Sequence, residues 1–159
     1  MGQVEFMQMA IDEARKGVED GIGGPFGAVI VKDGKVIGKA SNMVFATKDP
    51  TAHAEIMAIR DACKTLDNAE LEGCEMYTLG EPCPMCMAAI YWSKISTVYF
   101  ANTKEHAASI GFDDSFIYRE LATPIKGRCI VIQHTPDEDA AMLFKEWDRD
   151  IDKTDLPQT

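Results

Sequence analysis

Four side chains in this sequence have the types and spacing for metal chemistry: His53 and Glu55 in "AHAE", and Cys83 and Cys86 in "EPCPMC". Zinc accepts two thiolates and one imidazole readily. Three protein ligands leave a fourth position for water, the mark of a catalytic site rather than a closed structural one. Pro84 stands where the first residue of a helix falls, because its missing N–H costs nothing there. Cys83 and Cys86 then sit at a helix N-terminus, whose dipole favours the thiolate that a metal requires. Glu55 adds a carboxylate able to take a proton from the bound water. Two thiolates cancel the formal charge of the ion, so the metal polarises water less than an all-histidine site would. A dedicated base becomes correspondingly more necessary.

Simpler accounts of these residues leave something over. A redox Cys-x-x-Cys pair wants a βαβ start that "EPCPMC" lacks, and it gives His53 and Glu55 no task. Half of a structural zinc site wants a second Cys or His pair, which the chain does not supply. The spacing of His53 and Glu55 carries its own constraint, since residues two apart do not share a helix face. They flank one water only if they lie in a distorted first turn, so the helix is expected to start within a residue or two of His53.

The elements that must position these residues follow from periodicity. Val4, Met7, Ile11, Ala14 and Val18 recur at helical spacing and predict an opening amphipathic helix that ends near Gly21. "GPFGAVIVKDGKVIGKA" reads as two strands joined at Asp33 and Gly34, a two-residue hairpin turn. Ala52, Ile56, Ile59 and Cys63 mark a second helix. "EMYTL" is a third strand, "MCMAAIYW" a helix apolar nearly all round and therefore expected to be buried, and "ISTVYF" a fourth strand. Short helices are expected in "TKEHAAS" and "DDSFIYREL", and a fifth strand in "RCIVIQ". Thr135, Pro136 and Glu138 supply an N-cap, a first-turn proline and a capping-box carboxylate for a last helix bearing Ala140, Leu143, Phe144, Trp147 and Ile151. The tail "DKTDLPQT" is polar. This order predicts a single α/β domain over 1–159, with a mixed sheet covered on both faces.

Bulk composition narrows the function classes. The 159 residues are 46% apolar and 26% charged, as in an ordinary globular domain rather than a disordered or fibrous chain. No stretch approaches the roughly 20 apolar residues of a membrane span. The N-terminus lacks a basic segment followed by an apolar block, so a cytoplasmic address is the expectation. A formal charge of −10 opposes attraction to a phosphate backbone and favours a small-molecule partner over nucleic acid. Five cysteines in such a chain argue against a disulfide framework. Cys63, Cys74 and Cys129 are expected as small buried apolar residues.

Together His53, Glu55, Cys83 and Cys86 match the His-x-Glu and Pro-Cys-x-x-Cys signature of zinc deaminases. With "GGPFGAVIVKDG", "DPTAHAE", "AIYW" and "GFDDSFIY", the stretch from about Ile22 to Tyr118 resembles the bacterial guanine deaminases, a branch of the cytidine deaminase-like superfamily. The zinc motif points only to the superfamily, and "GFDDSFIY" is the part that points to guanine. The resemblance implies a three-layer α/β/α fold with a five-strand mixed sheet, one Zn2+ per subunit, and hydrolysis of guanine to xanthine and ammonia in purine salvage or catabolism. It also implies a homodimer whose C-terminal segment is exchanged between subunits.

Carried over by position, the resemblance implies that His53, Cys83 and Cys86 hold zinc and that Glu55 shuttles protons. Asn42 offers its amide to the purine's polar edge, Asp114 accepts from its N–H groups, Phe26 and Trp92 wall the ring, and the Ala54 N–H meets the substrate. Guanine suits this set, because adenine lacks an N1–H for a carboxylate to bind. Each has a duller account. Asn42 can end a strand in a turn, Asp114 can cap the helix near Ser115 unless Asp113 does so, and Phe26 and Trp92 can be core. Leu79-Gly80 departs from the more polar pair expected beside the metal, and the chain after Tyr118 resembles the family weakly, so guanosine stays open as a substrate. The rivals are a tRNA adenosine deaminase, a deaminase of cytosine or ammeline, and a zinc-stabilised dimerisation module without catalysis.

Overall fold

The hairpin forms where its turn residues dictate. Asp33 and Gly34 take positive φ (49° and 72°), the backbone that a tight turn between twisted strands needs, and they join β1 (Gly27–Lys32) to β2 (Lys35–Ser41). The structure, a computed structural model, describes residues 2–150. Ile151 and the tail "DKTDLPQT", placed by sequence in the last helix and beyond it, lie outside the described residues.

Residues up to Ser115 make one compact unit. It contains α1 (Gln3–Glu19), the hairpin, a short α2 (Val44–Thr47), α3 (Ala54–Leu66), β3 (Glu75–Gly80), α4 (Pro84–Trp92), β4 (Thr97–Asn102) and α5 (Lys104–Ser109). The strand order is β2-β1-β3-β4; β1 runs antiparallel to both of its neighbours and β3 runs parallel to β4. Period-2 alternation then sorts the side chains. Ala28, Ile30 and Met76 face a core shared with Ala54, Ala58 and Ala62 of α3 and Ile90 of α4. Val29, Val31 and Tyr77 face Phe6 and Ala10 of α1. Helices thus cover both faces of a mixed sheet, the three-layer α/β/α arrangement expected.

Several sequence expectations need correction. The buried stripe of α1 is Phe6, Ala10, Ala14 and Gly17, whereas Val4 is 84% and Val18 49% exposed. Close approach decides this: a Cβ at Gly27 would stand 2.1 Å from the Ala10 carbonyl oxygen, so only small residues line the contact. Helix α4 buries Cys86 and Ile90 but leaves Tyr91 and Trp92 exposed, because a nine-residue helix on one sheet face has one covered stripe. Among the described residues the sheet has four strands, not five. Residues 128–133 carry a continuous apolar run, Cys129 to Ile132, but form no ladder there, and Val131 is 81% exposed. An apolar run makes a segment competent to pair; a ladder requires a partner edge.

The unit from Phe116 onward holds most of α6 (Ser115–Ala122), a 3-10 turn (Ile125–Gly127) and α7 (Glu138–Asp150). Helix α7 is capped by Asp137, whose Oδ1 accepts from the Ala140 N–H at 3.0 Å, two residues later than the expected Thr135 cap. Of the three extra cysteines, Cys74 is buried as expected, Cys63 is half-buried and Cys129 is exposed. No described helix is long and apolar enough to cross a membrane.

The α1–β1 contact yields the first prediction. Gly27→Ala drives a methyl into helix backbone at Ala10 and Ala14 and is expected to cost at least about 2 kcal/mol by overpacking. A denaturant midpoint equal to that of the parent protein would contradict this close approach.

Candidate metal and substrate site

His53 and Cys83 solve the same geometric problem in the same way. Each is the N-cap of its helix with extended backbone (φ −66°, ψ 154° for His53; φ −66°, ψ 169° for Cys83), so each side chain turns across the head of the helix instead of following its spiral. The helix start at Ala54 is within the one or two residues that the spacing of His53 and Glu55 required. Pro84 occupies the first turn of α4 as expected, and Cys86 reaches the same point from within that turn.

The ligand atoms of His53, Cys83 and Cys86 all lie within 4.8 Å of one another. His53 Nδ1 stands 3.6 Å from Cys83 Sγ and 3.5 Å from Cys86 Sγ. A tetrahedral zinc with ordinary Zn–N and Zn–S bonds requires nitrogen and sulfur about 3.6 Å apart. The donor set therefore fits zinc in both chemistry and spacing, with three ligands and one vertex left for water. Glu55 sits beside it, 5% exposed, with Oε2 accepting from Cys86 Sγ at 3.5 Å and Oε1 accepting from the Thr78 hydroxyl at 3.2 Å.

Electrostatics of the protein groups agree with a metal centre. The Cys83 thiol is lowered to about 4, chiefly because Cys86 donates a hydrogen bond to its sulfur. Cys86 is raised by its hydrogen bond with Cys83 and by burial. His53 is raised, mainly by its hydrogen bond to Cys83. Burial raises Glu55 above the usual carboxylate range, toward the range where a proton carrier works near neutrality.

The remaining sequence candidates separate. Ala54 is fully buried at the first position of α3, where its N–H lies outside the i→i−4 pattern and points forward from the helix head. Asn42 is buried, and its Oδ1 accepts from the Val44 N–H at 3.1 Å, which leaves Nδ2 as the group to present. Its backbone is pressed against Gly23, where a Cβ would stand 2.0 Å from the Asn42 carbonyl oxygen; close approach, not positive φ, requires that glycine. Asp113 Oδ1 accepts from the Ser115 N–H at 2.9 Å at the start of α6. Asp114 is half-buried, and burial, followed by the charge of nearby Cys83, raises it. Phe26 packs edge-on against Phe112 with centroids 4.9 Å apart and covers Gly80. With Leu79, Gly80, Asn102 and His106 it lines a cavity of ≈ 250 Å³. Trp92 is not brought to the cluster: it is 64% exposed at the last residue of α4, about 13 Å along the helix axis from its head. Thr78 escaped sequence analysis, although its parity with Met76 on β3 was a readable signal that it faces α3.

Comparison with known proteins gives a consistent result. Residues 2–102 match the family described as the cytidine and deoxycytidylate deaminase zinc-binding region. The chain is 47% identical to guanine deaminase of Bacillus subtilis over 92% of its length and 94% of that protein's. It is 40% identical to a tRNA-specific adenosine deaminase of Aquifex aeolicus, again over 92% of its own length and 94% of the relative's. The X-ray structure of the Bacillus subtilis guanine deaminase superposes with a TM-score of 0.90, covering 93% of this chain and 94% of that one.

Metal loading carries a defined proton signature. Zinc displaces the Cys86 proton throughout the neutral range, and as pH falls toward the raised His53 value it must displace the imidazole proton as well. Calorimetry of the metal-free protein in buffers of differing ionisation enthalpy is expected to find more protons released per zinc, and weaker apparent affinity, at pH 6 than at pH 8. The opposite trend would exclude His53 as a ligand.

Proposed function

The chain belongs to the cytidine and deoxycytidylate deaminase zinc-binding family, and on that premise we propose that it hydrolyses guanine to xanthine and ammonia. The observation that carries the choice of guanine is the greater likeness to a guanine deaminase, 47% identity against 40% for the tRNA-specific adenosine deaminase over the same share of the chain, with a TM-score of 0.90 to the guanine deaminase structure. His53, Cys83 and Cys86 hold the zinc, which when bound makes a coordinated water acidic enough to ionise near neutrality. Glu55 takes the proton that the attacking water gives up and delivers it to the ring nitrogen next to the amine-bearing carbon. A new C–O bond forms there. Glu55 then takes the remaining proton from the new hydroxyl and passes it to the departing amino group; the C–N bond breaks, ammonia leaves, and the oxygen remains as the xanthine carbonyl.

Substrate orientation rests on groups of fixed polarity. Asn42, with Oδ1 held by the Val44 N–H, offers a donor to an acceptor on the purine. Asp114 accepts from the adjacent N1–H and amino protons that guanine presents and adenine does not. Phe26 provides an aromatic wall, and the Ala54 N–H is directed at the ligand. Trp92 contributes from a neighbouring subunit or not at all, given its place at the far end of α4.

The enzyme acts as a homodimer in the cytoplasm, with its C-terminal segment exchanged between copies. Two features support this: α7 carries Leu143, Phe144 and Trp147 exposed, and Ile130, Val131 and Ile132 form an exposed apolar run without a ladder. An exposed apolar helix face and an exposed apolar segment in one chain call for a covering copy. Sedimentation equilibrium is expected to return the mass of two chains, and Trp147→Glu to shift it toward one. A wild-type monomer at micromolar concentration would reject the exchange.

Ammonia release tests the activity itself. Of guanine, guanosine, adenine, cytosine, ammeline and tRNA, guanine is expected to be turned over fastest. Glu55→Gln is expected to keep its zinc while losing about 10²–10⁴ in kcat, the usual size of a positioned acid–base group. Near wild-type turnover by that variant would remove Glu55 from the mechanism, and release from tRNA but not guanine would replace guanine by a polynucleotide substrate.

A further inference from the structure

We infer that Thr78 is the positioning residue for Glu55: its hydroxyl holds Oε1 of the carboxylate so that Oε2 is the oxygen presented to the metal cluster. The inference rests on the deaminase reading only in naming Glu55 as the proton carrier. Geometry supplies the rest. Thr78 is 0% exposed, and its hydroxyl lies 3.2 Å from Glu55 Oε1, while Glu55 Oε2 lies 3.5 Å from Cys86 Sγ. The two oxygens of one carboxylate are thus divided between a fixed hydroxyl and the Cys86 sulfur.

Thr78 is itself immobile. Its strand lies between two others, with Thr78 opposite Ala28 on β1 and opposite Phe100 on β4. Its β-branched side chain has restricted χ1 freedom, so the hydroxyl direction follows from the backbone. Its single proton goes to Oε1. The bond also joins different elements. Glu55 belongs to the first turn of α3, and Thr78 ties it to the sheet rather than to its own helix. A Glu side chain has three rotatable bonds, and only a contact of this kind selects one orientation of its terminal group. Partners that orient a reacting group from behind typically contribute about 10–100-fold to activity.

The test uses the zinc-loaded full chain with Thr78→Val, which removes the donor at nearly constant volume, and Thr78→Ser, which keeps it. Thr78→Val is expected to lower kcat on guanine by about 10–100-fold with KM within about twofold and zinc content unchanged, while Thr78→Ser restores most of the lost kcat. Crystal structures of both variants provide a readout independent of turnover: the Glu55 carboxylate is expected to rotate away from the cluster in Thr78→Val and to stay in place in Thr78→Ser. An unmoved carboxylate in Thr78→Val overturns the inference, as does wild-type kcat in that variant, a matching rise in KM, loss of zinc, or failure of Thr78→Ser to recover. If the parent protein releases no ammonia from guanine, the substrate reading fails by itself, and the crystallographic comparison still decides the role of Thr78.

Discussion

The constraint on which this molecule depends is the meeting of two helix N-termini on one face of the sheet. Helix heads are positive and carry unpaired N–H groups, so they favour thiolates and leave donors available to a ligand. Here α3 brings His53, Ala54 and Glu55 to that point, and α4 brings Cys83 and Cys86. Extended backbone at both caps turns a His and a Cys inward that would otherwise point along separate helix faces. The resulting nitrogen–sulfur distances, 3.5 and 3.6 Å, are those a tetrahedral zinc needs.

Such a meeting demands close packing behind it. The inner face of α3 is made of Ala54, Ala58 and Ala62, and a Cβ at Gly38 of β2 would lie 2.6 Å from the Ala62 nitrogen. On the other face, Gly27 lets α1 lie equally near β1. Small residues at these contacts fix the helices against the strands at short range, where a lateral shift would meet backbone rather than flexible side chains. Rigidity of this kind is what a three-ligand site requires, since a displacement of an ångström would spoil the coordination.

The same burial sets the chemistry. Glu55, withdrawn from water, is raised as a buried carboxylate must be, while Cys83 is lowered by its neighbour's hydrogen bond. The fold thus pushes Glu55 and Cys83 in opposite directions beside the same cluster, while Cys86 is raised by Cys83 and by burial until a metal displaces its proton. Asn42 and Asp114 then differ in what they offer: a donor whose partner oxygen is already committed, and a carboxylate near Cys83.

Residue types and short-range spacing alone pointed to the cluster of His53, Cys83 and Cys86 with Glu55 beside it, to the helix starts near His53 and at Pro84, and to the hairpin at Asp33 and Gly34. These features are local: capping, turn geometry and ligand chemistry act within a few residues, so their signals survive in a linear string. Tertiary structure decided what depends on contacts far apart in sequence. Which stripe of α1 is buried followed from Gly27 and Ala10, not from the apolar period that Val4 and Val18 suggest. Trp92 lies at the far end of its helix, which its motif could not reveal, and Thr78 was overlooked because only pairing of β3 within the sheet sets it against Glu55. Residues 128–133 have the β-branched apolar run of a strand and yet form none among the described residues, since a strand exists only where another edge accepts its hydrogen bonds.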